Sequence, residues 1–338
     1  MKAAILCAGL GTRLRPLTDS WPKPAIPLLG QPLIRYCLAM LKRAGVNAIA
    51  INTHHLGAAM AATAADECRR ARLTLEVVHE PLIQGTGGGV RGLRRLIEDS
   101  CFLVVNGDAL FSFDLTALIE EHRRSNADAT LALMPMPWGG NYAAVETDGD
   151  GRVWRIAGRG AEREGLRPWH FPGVHVLTPA VFEFISPTGP EDINRDVYPR
   201  MIQNGRMIRG AAVDGYWSDV GTAGRYLQTQ SDLLSGLVPL EAFADGSPFI
   251  GAQLTKGGYW TRGNAQVGQS EVHAPAFFDS GCTIATPAQL GPNVYVGCGA
   301  QVGPAAELVE AAVLENTVLA ANQRLIKAIA WGKGRLRG

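Results

Sequence analysis

Apolar positions along the chain follow two rhythms, and a third takes over near the end. Apolar runs at Ala3 to Cys7 and Cys101 to Val105 predict central strands, the first buried on both faces of a sheet, and Ala48 to Ile51 and Ala129 to Met134 read as further strands. Between them, Leu33, Ile34, Cys37, Leu38, Leu41 and Ala44 recur at helical spacing, with Pro32 near the first turn and Gly45 at the stop. Helices are also expected at Gly57 to Arg69, Val90 to Ile97 and Ala223 to Leu234. Further strands are expected at Leu73 to Val78, 141–146, Arg152 to Ile156, Phe171 to Val176 and Met207 to Val213. Strand alternating with helix is the pattern of an α/β domain with helices on the faces of its sheet. From Val272 the period becomes six: Phe278, Ile284, Leu290, Val296, Val302, Leu308 and Leu314 follow in step, each with a small or β-branched residue four places on, from Ala276 to Val318. A strict hexapeptide period predicts a short parallel β-helix of two to three coils, about eighteen residues each. The segment from Asn322 to Gly338 is expected to cap it as a helix with a basic end.

Composition narrows the class. The 338 residues suggest two domains, and 46% hydrophobic with 19% charged residues at net charge +1 fits a globular protein without a general nucleic-acid-binding surface. Cys7, Cys37, Cys68, Cys101, Cys282 and Cys298 show neither paired spacing nor crowding, as expected of reduced thiols in a cytoplasmic protein. The apolar run at the amino terminus is too short for a signal peptide or a membrane span.

Candidate chemistry lies where the predicted strands end. Ala8-Gly9-Leu10-Gly11-Thr12-Arg13 follows the first strand, and Pro22-Lys23-Pro24 follows soon after. Small residues expose backbone amides to phosphate oxygens, Arg13 adds a planar fork, and Lys23 adds a point charge between two prolines. A dinucleotide fingerprint would need a third glycine where Leu14 stands, and a Walker loop would need Gly-Lys-Ser/Thr, so neither fits. Asn106-Gly107-Asp108 ends a central strand, and Asp219 stands in Trp217-Ser218-Asp219-Val220-Gly221-Thr222 ahead of a helix that Thr222 is well placed to cap. Both aspartates are of the hard-oxygen type that meets a cation at a nucleotide phosphate. Glu80-Pro81-Leu82-Ile83-Gln84-Gly85-Thr86-Gly87-Gly88-Gly89 is either a flexible connection or a place where something approaches the backbone closely. Asn52-Thr53-His54-His55 also ends a strand, but adjacent residues on extended backbone face opposite ways, which argues against a metal pair.

The segment from Ala8 to Pro24 resembles the signature of the sugar-1-phosphate nucleotidyltransferases, G-x-G-T-R-x-x-P-L-T followed by P-K-P. The resemblance implies a Rossmann-like mixed sheet of GT-A type at 1–236, a left-handed β-helix at 249–320 and a tail at 321–338. It implies an NTP held by Ala8, Gly9, Gly11, Thr12, Arg13 and Lys23, by a base clasp at Thr86, Gly87 and Gly88, and by Asn106 and Gly107. It places the sugar on Asn141, Glu146, Gly173 and Asn194, and gives Asp108 and Asp219 a shared Mg²⁺. Arg13, Lys23 and Asp108 are the implied catalytic residues. One departure stands out. Many members carry Glu-Lys-Pro where this chain has Gly158-Arg159-Gly160, leaving Arg155, Arg159 and Arg163 as candidates for the sugar phosphate.

The implied reaction is transfer of a nucleoside monophosphate from an NTP to a sugar 1-phosphate, as in NDP-sugar biosynthesis for cell-envelope polysaccharide. Mannose-1-phosphate guanylyltransferases are the first expectation, and uridylyl transfer to N-acetylmuramic acid 1-phosphate or glucose 1-phosphate is the second. A hexapeptide acyltransferase would need a longer array and a basic catalytic residue, where the repeats offer His273 alone; a non-catalytic NDP-sugar-binding subunit would have no need of all four charged residues. Open ends of a repeat array also imply packing on the catalytic domain or a homo-oligomer.

Overall fold

Seven strands make the main sheet of the computed structural model, which describes residues 1–98, 100–137 and 142–338. They are β1 (Lys2–Leu6), β2 (Ala48–Thr53), β3 (Thr74–His79), β4 (Phe102–Asn106), β5 (Ala129–Leu133), β6 (Val174–Leu177) and β7 (Ile208–Ala212). Their order is β7-β5-β6-β4-β1-β2-β3, with β6 antiparallel to both neighbours and the other pairs parallel. In the central register Ala4 lies beside Ala50 and Val104, all three buried. Small residues there let helices pack close, and the apolar run of β4 has no exposed face, as a doubly covered strand requires. A second, four-stranded antiparallel sheet holds Val145–Thr147 between Val153–Ile156 and Arg167–Trp169, so the strand expected at 141–146 starts late.

The helices are α1 (Leu33–Arg43), α2 (Gly57–Ala71), α3 (Gly85–Gly92), α4 (Leu115–Ser125), α5 (Tyr198–Gln203) and α6 (Ala223–Leu234). Thr222 caps α6 by accepting the Arg225 amide at 3.2 Å, as its position predicts. The expected helix at Val90 to Ile97 begins earlier, at Gly85, and breaks before Arg94–Ile97.

The chain separates into two compact units, neither continuous in sequence. One is Met1–Leu10 with Cys37–Trp217, and the other is Gly11–Tyr36 with Ser218–Gly338. The loop carrying Gly11, Arg13 and Lys23 groups with the carboxyl-terminal repeats rather than with the strand that precedes it.

Within the second unit, short parallel strands stack with a fixed stagger. Glu271 pairs with Gln289, Ala276 with Val294 and Thr283 with Gln301, eighteen residues on in each case, and Gln289 pairs in turn with Glu307. Phe278, Ile284, Leu290, Val296, Val302 and Leu308 all enter one apolar core, as the period predicts. Then the register shortens by one. Val296 pairs with Val313 rather than Leu314, and Val302 pairs with Leu319. A one-residue slip reverses inside and outside on a strand: Val313 and Leu319 join the core, while Val318, expected inside, is 60% exposed. The slip falls at Glu310, whose φ of 48° turns a tight corner that Lys327 (φ 47°) repeats one coil later.

The tail is not a helix. Arg324–Trp331 continues the stack in parallel with Glu307–Val313, and Gly334–Arg337 returns antiparallel to it. Leu325, Ile329 and Trp331 are buried by that pairing, because an added strand covers the core's end in a way a helix with their spacing does not.

Candidate functional site

In the first unit the site residues collect at the carboxyl ends of β1 and β4. The Gly107 amide donates to the Leu6 carbonyl at 3.0 Å, and the Asn106 amide donates to the Gly173 carbonyl at 3.0 Å. Gly173 lies so close that a Cβ there would stand 2.3 Å from Asn106 Nδ2. Asn106, Gly107 and Gly173 therefore meet, with the half-buried Asp108 next in the chain. Trp217 closes the same region by donating Nε1 to the Pro172 carbonyl at 3.1 Å, and it packs on the rings of His170 and Tyr142. The ring cluster was not anticipated in the sequence, where Trp217 appeared only beside Asp219; the three residues are scattered, and no spacing links them.

A buried polar chain anchors the start of the first loop. The Cys7 amide donates to Asn52 Oδ1 (2.8 Å), Asn52 Nδ2 donates to Glu80 Oε1 (2.8 Å), and Glu80 Oε2 accepts the Gln84 amide (3.1 Å). Asn52 and Glu80 are 2% and 4% exposed, so the loop after β1 and the start of α3 share one fixed carboxylate. Burial, and then the neighbouring Cys37 and Asp108, hold the Cys7 thiol in its protonated form, which excludes it as a nucleophile. His54 Nδ1 lies 2.8 Å from the Glu80 carbonyl, and among the described residues no cluster of three or more His, Cys, Asp or Glu side chains is placed to cage a metal.

The glycine-rich stretch is helical rather than a loop. The amides of Gly87 and Gly88 donate to the Glu191 carbonyl at 2.8 and 3.3 Å, and Thr86 Oγ1 accepts the Ile193 amide at 2.8 Å. A Cβ on Gly85, whose φ is +70°, would lie 2.4 Å from that carbonyl oxygen. Gly87 and Gly88 are buried, so absence of side chains here lets α3 press against 191–197. Glu191 is itself pinned: burial raises its carboxyl, but Arg200 and the Ser186 amide and hydroxyl outweigh this and hold it below the ordinary range. Asn194 follows directly, its Oδ1 buried without a partner among the described residues.

The remaining sugar candidates lie in or around the small sheet. Glu146 Oε2 is 3.4 Å from Arg155 Nη1, Arg159 is 3.7 Å from Asp196, and the Arg163 guanidinium stacks 3.4 Å over the Trp154 ring. Of the three arginines, Arg155 is the one in contact with a proposed sugar residue. Asn141 lies outside the described residues.

In the second unit, residues about two hundred positions apart converge. Lys23, 6% exposed, donates Nζ to the Asp219 backbone carbonyl at 2.9 Å. A Cβ on Gly221 would stand 2.8 Å from Arg13 Nη2 and 3.3 Å from Asp219 Oδ2, so Arg13, Asp219 and Gly221 are neighbours. Gly11 shapes the loop by accepting the Thr18 hydroxyl (3.0 Å) and the Leu14 amide (2.9 Å), leaving Thr12 and Arg13 exposed. Arg225, not noted in the sequence, pairs with Asp219 Oδ1 at 2.6 Å. It lies one turn into α6, where a lone arginine carries no signal. Val220 between them has φ 34°, a strained left-handed conformation for a β-branched residue that turns the Asp219 and Gly221 sides of the loop. Ala8 and Gly9 precede this loop at the end of the first unit, Ala8 buried and Gly9 exposed with nothing within 4 Å of its absent Cβ.

Asp108 in the first unit and Asp219 in the second are each carboxylates of the hard-oxygen type that a divalent cation accepts. Among the described residues no helix is long and apolar enough to cross a membrane.

Comparison with known proteins is consistent throughout. Residues 2–236 match the model of the nucleotidyl transferase family. A UTP–glucose-1-phosphate uridylyltransferase from Synechocystis is 28% identical across 98% of this chain and 88% of its own length. A mannose-1-phosphate guanylyltransferase from Mycobacterium tuberculosis is 30% identical over 93% of this chain and 80% of its own. A D-glycero-alpha-D-manno-heptose 1-phosphate guanylyltransferase from Aneurinibacillus thermoaerophilus is 29% identical over 69% and 98%. The crystal structure of HddC from Yersinia pseudotuberculosis shares the fold with a TM-score of 0.57 at 22% identity, covering 67% of this chain and 96% of that one.

Proposed function

Since the chain belongs to the nucleotidyl transferase family and is a sugar-1-phosphate nucleotidyltransferase of the 2.7.7 class, we propose that it transfers GMP from GTP to mannose 1-phosphate or a related heptose phosphate. The observation that supports this assignment of chemistry is the convergence of Arg13, Lys23 and Asp219. The guanylyltransferases among its relatives support the choice of base. Uridylyl transfer to glucose 1-phosphate is the second reading, favoured by a uridylyltransferase relative that matches 98% of the chain; N-acetylmuramic acid 1-phosphate belongs with it.

An oxygen of the sugar phosphate attacks the α-phosphorus of the NTP, and pyrophosphate leaves in line. The nucleophile is already ionised at neutral pH, so no covalent intermediate on the protein is needed; alignment and charge neutralisation are the protein's tasks. Arg13 and the amides of the Ala8 to Thr12 loop stabilise the leaving pyrophosphate. Lys23 bridges toward the α-phosphate or the sugar phosphate. Its Nζ is tethered by the Asp219 carbonyl, so its charge is pre-positioned before substrate arrives. Asp108 and Asp219 are the residues that would hold Mg²⁺, and a bound cation would supply charge neutralisation at the α-phosphate. Arg225 keeps the Asp219 carboxylate oriented. Thr86, Gly87 and Gly88 flank the base. With both glycine amides donated to Glu191, a base at this place contacts other groups of the segment. Asn106 and Gly107 line the nucleotide, and Glu146, Gly173, Asn194 and Asn141 the sugar.

We read the repeats as a left-handed parallel β-helix, the protein as a cytoplasmic homo-oligomer, and the whole chain as one enzyme. Pyrophosphate release from each of four NTPs against a panel of sugar 1-phosphates tests the assignment. GTP with mannose or heptose phosphate is expected to give the highest kcat/KM. Turnover with UTP and glucose 1-phosphate alone overturns it in favour of the second reading, and no release with any pair overturns both.

A further inference from the structure

The segment that carries the phosphate-binding cations is suspended from the repeats at separate points. Four residues after Lys23, Pro27–Leu28 and Gln31–Pro32 begin a tight hairpin whose tip is Leu29-Gly30. Gly30, at φ +75°, sits so near the repeats that a Cβ would lie 2.4 Å from Tyr295 Oη and 2.8 Å from Asp279 Oδ2. Tyr295 donates its hydroxyl to Asp279 at 3.0 Å, and Asp279 also accepts from Arg262 and the Ser280 amide. Both Asp279 and Tyr295 are almost wholly buried, at 3% and 1% exposure. This is a buried, hydrogen-bonded polar seat, and the hairpin tip rests on it.

A second suspension point lies on the other side of Lys23. Trp331, in the last long strand, donates Nε1 to Ser20 Oγ at 3.3 Å, between Thr18, which braces Gly11, and Lys23. On α6, which follows Asp219, Gln230 donates Nε2 to the carbonyls of Asn293 and Ala311 at 3.0 Å each, and this side chain is fully buried. The cation loop and the helix beyond Asp219 are thus registered on one scaffold, which the hexapeptide array supplies. Lys23 and the Asp219 carbonyl, 2.9 Å apart, are each on a segment that contacts this scaffold.

We propose that the repeat region is a positioning element of the active site, in which the Asp279–Tyr295 seat sets the place of Lys23 through the Gly30 hairpin. This rests on the proposed role of Lys23 and extends it to residues more than two hundred and fifty positions away. A repeat region that served only to stiffen or assemble the chain would influence stability or oligomeric state, whereas a positioning element influences chemistry through one identifiable charge.

A double-mutant cycle on the full-length enzyme separates the two, with kcat/KM corrected for active-site concentration and Tm measured alongside. Tyr295→Phe removes the hydroxyl and keeps the ring. It is expected to lower kcat/KM about fivefold in the otherwise native enzyme and less than twofold when Lys23→Ala is already present, because groups acting through one another are not additive. An equal factor in both backgrounds, or no change in a folded Tyr295→Phe enzyme, overturns the proposal while leaving the assigned reaction intact. Normal turnover of Lys23→Ala overturns both the proposal and the role assigned to Lys23. Should Tyr295→Phe fold poorly, Trp331→Phe carries the same cycle from the second suspension point, and the same non-additivity with Lys23→Ala is expected.

Discussion

Two glycine-rich stretches, Gly9 to Gly11 and Gly85 to Gly89, look alike as sequence and are packed differently. At Gly9 an added Cβ would meet nothing within 4 Å, and the residue is exposed. At Gly85, Gly87, Gly88 and Gly89 an added Cβ would meet Glu191, Val197, Gln84 or Asn52. The first stretch leaves open space at Gly9, whereas Gly11, at φ +61°, would place a Cβ 2.8 Å from the Thr18 methyl. The second uses the missing side chains to bring a helix against its neighbours, and donates the amides of Gly87 and Gly88 to Glu191. Glycine density alone therefore does not identify a ligand-binding loop; open space beside the amides does.

The comparison can be broken most directly by Arg13→Ala in the open loop. We expect kcat/KM to fall by about 10²-fold or more, on the order of 3 kcal/mol of transition-state stabilisation, with Tm unchanged, because the side chain is exposed and acts on charge. Normal turnover by the purified variant would refute the leaving-group role. Next is the contrast between Gly85→Ala and Gly9→Ala. The first, at positive φ and against a backbone carbonyl, should cost about 2–3 kcal/mol in denaturant unfolding; the second should leave unfolding alone and raise KM for the NTP. A stable Gly85→Ala protein, or an unstable Gly9→Ala one, removes the distinction.

The dryness of the packed side can be read through His175. It sits on β6, contacts Tyr198 on α5 just after the segment that receives α3, and burial lowers its pKa to about 3. Between the unfolded value near 6.5 and the folded value, the unfolded chain binds a proton that the native one refuses. Stability therefore falls as pH is lowered through that window, by about 1.4 kcal/mol per unit from this group, and is untouched above it. His175→Gln should flatten the acid limb of a stability-against-pH curve by that slope; an identical limb would show that the ring is wetter than its burial implies. Smallest in effect is thiol reactivity. Cys7, at the root of the open loop, is buried and Cys298 is exposed. A maleimide should label Cys298 in the native protein without loss of turnover, and labelling of Cys7 would show that the openness at Gly9 extends beneath the loop.

Much of this was legible from local pattern. Short apolar runs located β1, β2, β4 and β5 to within a residue or two, and Thr222 marked the start of α6, because burial on both faces and capping are both local demands. The six-residue period held through Leu308 and then misplaced Val318, which is exposed, while Leu314 stays buried outside the repeat core, since one deleted residue at a corner is invisible to spacing yet shifts the register that follows. The tail was read as a helix from Leu325, Ile326 and Ile329. Its pairing with Glu307–Val313 overrides that preference, because the stack offers backbone partners that an isolated segment lacks.

By itself, then, the order of residues determined the chemistry available: a cation-bearing glycine loop, two aspartates after strands, and a repeat with an inward apolar period. Tertiary structure alone decided which of these meet. Lys23 reaches the Asp219 carbonyl, Arg225 pairs with Asp219, and Gly30 rests on Tyr295. Such contacts depend on where distant backbone segments are held, and no spacing along the chain encodes a distance through space.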